Sequence, residues 1–114
     1  MSLNELMSEI SDFVSERDWE QFHNPKNIAM SIAIEAGELL ECLQWDSPTA
    51  LEILSDAKKL NDLADEIADV QIYLLRMCSM LEIDPIQNSM RKLELNKEKY
   101  PAEEFSGSSR KYNS

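Results

Sequence analysis

Two acidic motifs, about thirty residues apart, place the strongest constraint on the fold of this chain. Glu35 and Glu38 form the first motif, and Glu66 and Asp69 form the second. Residues three apart lie on the same side of a helix, so each motif directs two carboxylates to one point. If two such helices face each other, four carboxylates surround a shared space and repel one another unless a cation lies among them. Oxygen ligands in that number suit Mg²⁺ or Mn²⁺.

Glu35 stands out because it lies within an apolar stripe. At about 100° per residue, Ile32 and Leu39 fall on the same side of the helix as Glu35. A charge among apolar neighbours needs a partner or a metal. The alternative, an acidic motif on a solvated helix face, is common in acidic proteins, and it suits Glu66 and Asp69 better than it suits Glu35.

The composition excludes several classes of function. The chain has 114 residues, which fits one domain, and a net charge of −11, which argues against binding nucleic acid or anionic membranes. Cys42 and Cys78 fall at apolar helical positions, which indicates buried thiols in a reducing compartment and no zinc signature. The sequence shows no signal peptide and no apolar run of membrane-spanning length. We therefore expect a cytoplasmic protein.

Three prolines indicate where helices begin. Each follows a good N-cap residue, and proline is favoured at the first helical position. The three pairs are Asn24-Pro25, Ser47-Pro48 and Asp84-Pro85. The predicted helices are 3–18, 25–45, 48–82 and 85–100. The third breaks near Ser55 into a short helix and a long one. No alternation of apolar and polar residues indicates a strand, so the sequence predicts an all-α protein.

Aromatic residues flank the acidic motifs. Trp19 lies in the link before the second helix, where it has the shape to stack on a planar ligand. Trp45 lies at the predicted end of that helix, on the flank of Glu38. Each tryptophan can equally be a cap on the bundle core, and the residues alone leave both interpretations open.

Cations near the C-terminus are candidates for binding phosphates. Lys92 and Asn96 share one face of the last predicted helix, and Arg110 and Lys111 follow in the tail. These side chains either engage phosphates that a bound Mg²⁺ also contacts or form ordinary surface ion pairs. Because the chain has no G-x-x-x-x-G-K-[ST] loop and no nucleophile beside a base, the combined pattern predicts metal-assisted attack of water on a nucleotide.

The chain resembles the all-α nucleoside triphosphate pyrophosphohydrolases of the MazG-like superfamily, and within it the dCTP pyrophosphatases. The resemblance covers nearly the whole chain. The matching stretches are ERDWEQFHNPKN at 16–27, EAGELLECLQW at 35–45, DEIADVQIYL at 65–74, KLELNKEKYP at 92–101 and SSRKY at 108–112. The resemblance implies a four-helix bundle with a short extra helix. It also implies hydrolysis of dCTP or a modified dCTP to the monophosphate and diphosphate, in housekeeping of the nucleotide pool.

The resemblance also assigns roles to residues. The implied Mg²⁺ ligands are Glu35, Glu38, Glu66 and Asp69, and either Glu35 or Glu38 orients the attacking water. The implied nucleoside contacts are Trp19, Trp45 and Tyr73. The implied phosphate contacts are Lys92, Asn96, Arg110 and Lys111. We expect a catalytic domain at 1–105, a tail at 106–114 that closes over the active site, and assembly as a dimer or a dimer of dimers. Ile10 replaces a histidine of the dCTP-specific relatives.

Two other classes of protein fit parts of the pattern. A di-iron carboxylate bundle needs Glu-x-x-His on two helices, and the chain has a single histidine, His23. A non-catalytic acidic helical protein that binds a partner explains the apolar stripes but leaves Glu35 unexplained. Stabilisation by Mg²⁺ distinguishes this last class from the enzyme.

Overall fold

The computed structural model describes residues 1–107, which form six α-helices, a short 3₁₀ turn and no strand. The helices are α1 (Leu3–Glu16), α2 (Pro25–Glu41), α3 (Ala50–Leu54), α4 (Ala57–Met80), α5 (Pro85–Lys99) and α6 (Ala102–Phe105). The 3₁₀ turn, Glu20–Phe22, links α1 to α2. None of the helices within residues 1–107 could span a lipid bilayer. The structure therefore confirms the predicted all-α class.

Met1–Glu82 forms one compact unit, and α4 is its central helix. The most extensive helix contact is between α2 and α4, and α1 and α3 also pack on α4. The buried apolar residues are Ile10 and Val14 of α1, Ile28 of α2, and Leu63 and Leu75 of α4. Burying a side chain of this size contributes about 1.5–3 kcal/mol. This core holds together the two helices that carry the acidic motifs.

The described residues from Ile83 onward, 83–107, form a second compact unit. Asp84 caps α5 by accepting hydrogen bonds from the backbone N–H groups of Ile86 and Gln87, as the Asp84-Pro85 pair predicts. The rings of Tyr100 and Phe105 pack edge to face, with centroids 5.0 Å apart, and connect the end of α5 to α6. Lys92 and Asn96 lie on α5 in this unit.

Two predicted boundaries around Trp45 are wrong. Helix α2 ends at Glu41 because the next N–H groups bond to carbonyls three residues back, which tightens the last turn. Helix α3 begins after Thr49, whose side chain forms a reciprocal capping box with Glu52, and not at Pro48. Trp45 therefore lies between the two helices, with 89% of its surface exposed.

The large apolar residues of α4 are only partly buried. Leu63 lies in the core, but four large residues at seven-residue intervals remain exposed. They are Leu60, Ile67, Leu74 and Leu81. A spacing of seven keeps side chains on nearly the same side of a helix. Helix α4 thus has one apolar face in the core of its unit and a second, which we call the exposed α4 stripe, on the surface.

Candidate active site

Three glutamates from two helices converge on one space. Helix α2 supplies Glu35 and Glu38, and α4 supplies Glu66. One carboxylate oxygen of each residue lies within 4.8 Å of those of the other two. Glu35 and Glu66 are half-buried, whereas Glu38 is exposed. The packing of α2 on α4 thus brings together three of the four carboxylates that the spacing of the motifs predicts.

Two oxygens of this cluster lack hydrogen-bond partners. The Oε2 atoms of Glu35 and Glu66 are buried, and within residues 1–107 neither has a partner. A buried polar atom left in this state costs about 1–3 kcal/mol, and more if it is charged. The ion pairs of the described residues lie elsewhere, and within the first unit no basic side chain forms an ion pair with the cluster. A hard divalent cation such as Mg²⁺ fits this all-oxygen donor set.

Crowding of the carboxylates changes their proton affinities. The pKa of Glu35 rises from its ordinary 4.5 to about 7. Burial is the largest cause, followed by a hydrogen bond with Glu38 and by the negative charge of Glu38. The charges of Asp69 and Glu66 raise it further. Burial, followed by the charge of Glu38, also raises the pKa of Glu66. Without a cation, Glu35 therefore releases its proton only around neutral pH.

The metal-free protein is expected to lose stability as the pH rises from about 4.5 to about 7. A carboxyl whose pKa is higher in the folded than in the unfolded protein stabilises the fold while it is protonated, and this contribution is lost as the proton leaves. Urea unfolding in EDTA across this range measures the slope. Glu35→Gln cannot titrate and should give a shallower slope. An equally steep slope in that variant would assign the effect to other groups.

Asp69 connects the glutamate cluster to a neighbouring cavity. Its carboxylate lies outside the three-glutamate set, yet its charge raises the pKa of Glu35 and of Glu66. Asp69 also lines a cavity of about 240 Å³ in the first unit. Asp69, the fourth predicted metal-binding residue, thus lies where a molecule bound in the cavity would meet the glutamate cluster.

The cavity has aromatic and apolar walls from α1, the link and α4. Its lining residues are Ile10, Phe13, Val14, Trp19, His23, Asp69, Ile72, Tyr73 and Arg76. Trp19 packs edge to face on Phe13, with ring centroids 5.6 Å apart, and this contact holds the indole at the cavity wall. Two of the three predicted nucleoside contacts, Trp19 and Tyr73, therefore lie on one cavity beside the carboxylates.

His23 and Arg76 line the same cavity, and Arg76 was not among the predicted site residues. The Nε of Arg76 donates a hydrogen bond to Nδ1 of His23 over 3.2 Å. The sequence does contain a signal for Arg76, because Asp69, Tyr73 and Arg76 follow one another at spacings of four and three on α4. His23 is 53 residues away from Arg76, so no helical spacing relates the two.

Five further residues were predicted to belong to this site. Trp45 is exposed beyond the end of α2, and Lys92 and Asn96 belong to the second unit. Arg110 and Lys111 lie outside the described residues. The roles assigned to these five residues stay predictions.

Comparison with known proteins places the chain in a family. The sequence model of the MazG-like family matches residues 30–114. This chain belongs to the MazG-like family. The dCTP pyrophosphatase 1 of Mus musculus is 37% identical over 103 residues, and that of Homo sapiens is 36% identical over 104 residues. These matches cover 90% of this chain and 61% of each relative, so the chain spans about three fifths of the length of these relatives.

A solved structure supports the same assignment. A pyrophosphatase from Archaeoglobus fulgidus is similar to the chain with a TM-score of 0.79 and 42% sequence identity. The match covers 87% of this chain and 92% of that one. The MazG-like fold expected from the resemblance is therefore confirmed.

Proposed function

We propose that this MazG-like chain is a nucleoside triphosphate pyrophosphohydrolase that requires Mg²⁺, with Mn²⁺ as a possible substitute. Its substrate is dCTP or a modified dCTP, and its products are the monophosphate and diphosphate. The observation that carries the proposal is the three-glutamate cluster, with two unpartnered buried oxygens, beside an aromatic cavity. The choice of substrate is supported by similarity to proteins named dCTP pyrophosphatase 1. Removal of excess or modified dCTP would make this a housekeeping activity.

In the proposed reaction, the carboxylates have two roles, to hold the metal and to accept a proton from water. Glu35, Glu38 and Glu66 would hold the metal, with Asp69 as the fourth ligand. When bound, the ion would supply charge neutralisation for the phosphates and a lower pKa for a water molecule. Glu35 or Glu38 accepts a proton from the attacking water as its oxygen bonds to phosphorus. The bridge between the α- and β-phosphates breaks, and diphosphate leaves with the electron pair of the broken bond.

The substrate is proposed to lie with its base in the cavity and its phosphates at the glutamates. Trp19 and Tyr73 then border the nucleoside. Trp45 is proposed as a further nucleoside contact, and Lys92, Asn96, Arg110 and Lys111 as phosphate contacts. Residues 1–105 are proposed to form the catalytic domain, with a tail at 106–114 that closes over the triphosphate.

Product analysis tests the proposed function. The protein is incubated with each deoxynucleoside triphosphate and Mg²⁺, and diphosphate is measured separately from orthophosphate. We expect monophosphate and diphosphate in equal amounts, with dCTP the preferred substrate, and no product in EDTA. Orthophosphate as the product would contradict the reaction. Failure to hydrolyse any of the nucleotides with Mg²⁺ or Mn²⁺, in a protein that Mg²⁺ does not stabilise, would favour the non-catalytic interaction protein.

We also propose that the chain associates with copies of itself through the exposed α4 stripe. Ile67 is 53% exposed and Leu74 is 47% exposed. Exposure of large aliphatic side chains to water is unfavourable, and their regular spacing on one side of the helix is typical of a surface that binds another chain. Ile67→Glu is expected to shift the mass measured by light scattering towards that of a single chain, 13.1 kDa. Ala68→Glu changes an exposed residue about 100° round the same helix and serves as the control. An unchanged mass in Ile67→Glu would place the interface elsewhere.

A further inference from the structure

The side chain of Arg76 lies at the cavity without a carboxylate partner among the described residues, although the chain is acidic. It is half-buried and lines the cavity, yet within residues 1–107 it forms no ion pair with a carboxylate. In this part of the chain its side-chain hydrogen bond is the one that Nε donates to His23. An arginine is rarely placed in a partly buried site without a partner for its remaining N–H groups. The guanidinium is therefore available to a ligand in the cavity.

His23 sets the orientation of this guanidinium. Burial and the charge of Arg76 lower the pKa of His23, which keeps the imidazole neutral. Because Nδ1 accepts the hydrogen bond from Arg76, the ring proton of the neutral imidazole lies on Nε2. Of the five N–H donors of an arginine, one is then fixed and the four on the two Nη atoms remain in a planar fork.

The position of Arg76 along α4 indicates which part of a nucleotide it meets. Glu66, Asp69, Tyr73 and Arg76 follow one another along the helix. At 1.5 Å per residue, Arg76 lies about 15 Å from Glu66 along the helix axis and about 10 Å from Asp69. Phosphates bound at the glutamates are therefore distant from Arg76, whereas a base that extends into the cavity approaches it.

We propose that Arg76 is a base-selecting residue, which donates paired hydrogen bonds to N3 and O2 of cytosine while His23 positions it. This inference rests on the proposed function and names the group that reads its substrate. N3 and O2 of cytosine are adjacent hydrogen-bond acceptors on one edge of the base, and they match the two Nη groups of the arginine fork. Thymine carries an N3–H donor at the same place, so a donor would face a donor. Ile10 and Ile72, on the same cavity, offer no polar side-chain group that would compensate.

Substitution of Arg76 tests the proposal through the ratio of kcat/KM for dCTP to that for dTTP. Arg76→Met removes the donors, and Arg76→Lys keeps the charge but loses the fork. Both are expected to lower the ratio about 10- to 100-fold, the discrimination typical of a bidentate contact to a base. Lys58→Met removes an exposed cation, which pairs with Asp62, and is expected to leave the ratio unchanged. Melting curves with and without Mg²⁺ check that each variant is folded.

Variants of His23 test its positioning role. Asn places an oxygen acceptor close to the position of Nδ1, so His23→Asn is expected to keep most of the selectivity. His23→Leu removes the acceptor and is expected to lower the dCTP to dTTP ratio. Equal ratios in these two variants would overturn the positioning role, because a purely structural histidine does not distinguish the two bases.

The failure of this inference differs from the failure of the proposed function. If the wild-type protein releases diphosphate but does not prefer dCTP over dTTP, or if Arg76→Met slows both nucleotides equally, the inference is overturned and the reaction stands. If no deoxynucleoside triphosphate yields diphosphate, the proposed function itself fails, and the inference fails with it.

Discussion

Glu38→Gln is expected to lower kcat/KM by more than about 100-fold, since a single acid–base group contributes about 10²- to 10⁴-fold to a rate. Glu38 is the exposed member of the three-glutamate cluster, so it is the carboxylate most open to water and substrate. Glutamine keeps the size of the side chain but removes its charge and its ability to accept a proton. The expected loss therefore reflects chemistry and metal binding, and the helical content measured by circular dichroism should not change.

Glu41→Gln is the matched control for this experiment. Glu41 is an exposed glutamate on the same helix, three residues beyond Glu38, and it lies outside the cluster. Its variant should keep activity within about twofold of the wild type, as expected of a surface substitution away from a site. Activity of Glu38→Gln within a few-fold of the wild type would remove Glu38 from the proposed site.

Glu35→Gln is expected to make the metal-free protein more stable at about pH 8 while removing most of its response to Mg²⁺. Burial and neighbouring charges raise the pKa of Glu35 to about 7, so its ionised form opposes folding above that pH. The amide of glutamine is neutral and can donate a hydrogen bond to a neighbouring carboxylate such as that of Glu38 or Glu66. Because Glu35 is half-buried and solvent screens part of the effect, we expect a gain of about 1–2 kcal/mol.

The effect of Mg²⁺ separates this explanation from a general gain in stability. A ligand that binds only the folded protein adds about 2.7 kcal/mol when its concentration is 100 times its dissociation constant. The wild type should show a gain of this kind in urea unfolding with Mg²⁺, and Glu35→Gln should show little. Glu41→Gln, measured in parallel, should behave like the wild type. If metal-free Glu35→Gln were less stable than the wild type, the ionised carboxylate of Glu35 could not be the group that destabilises the metal-free protein.

Local signals in the sequence predicted most of the helices correctly. Asn24-Pro25 and Asp84-Pro85 mark the observed starts of α2 and α5, because a cap and a proline act within one turn of the chain. The end of α2 and the start of α3 were harder to predict. At these two places several residues have comparable local preferences, and the outcome depends on which backbone N–H groups find a partner, such as the side chain of Thr49.

The residues of the candidate site likewise include some that local spacing predicts and some that it does not. The pairing of Glu35 with Glu38 and of Glu66 with Asp69 was predicted from spacing, since the helical repeat relates residues three or four apart. The contact of His23 with Arg76 was not predicted, because it joins two segments that meet only when α4 packs against the rest of the first unit.

Local patterns in the chain were enough to specify the all-α class, the two acidic faces and the placement of an ionisable residue in an apolar stripe, because each follows from the period of a helix. The packing of the helices settled which carboxylates meet, which of their oxygens are left without a partner, and which apolar face of α4 is buried. It also formed the cavity between α1, the link and α4. These features depend on the rotation of each helix about its axis and on its packing partners, which involve residues far apart in the chain and have no local signature.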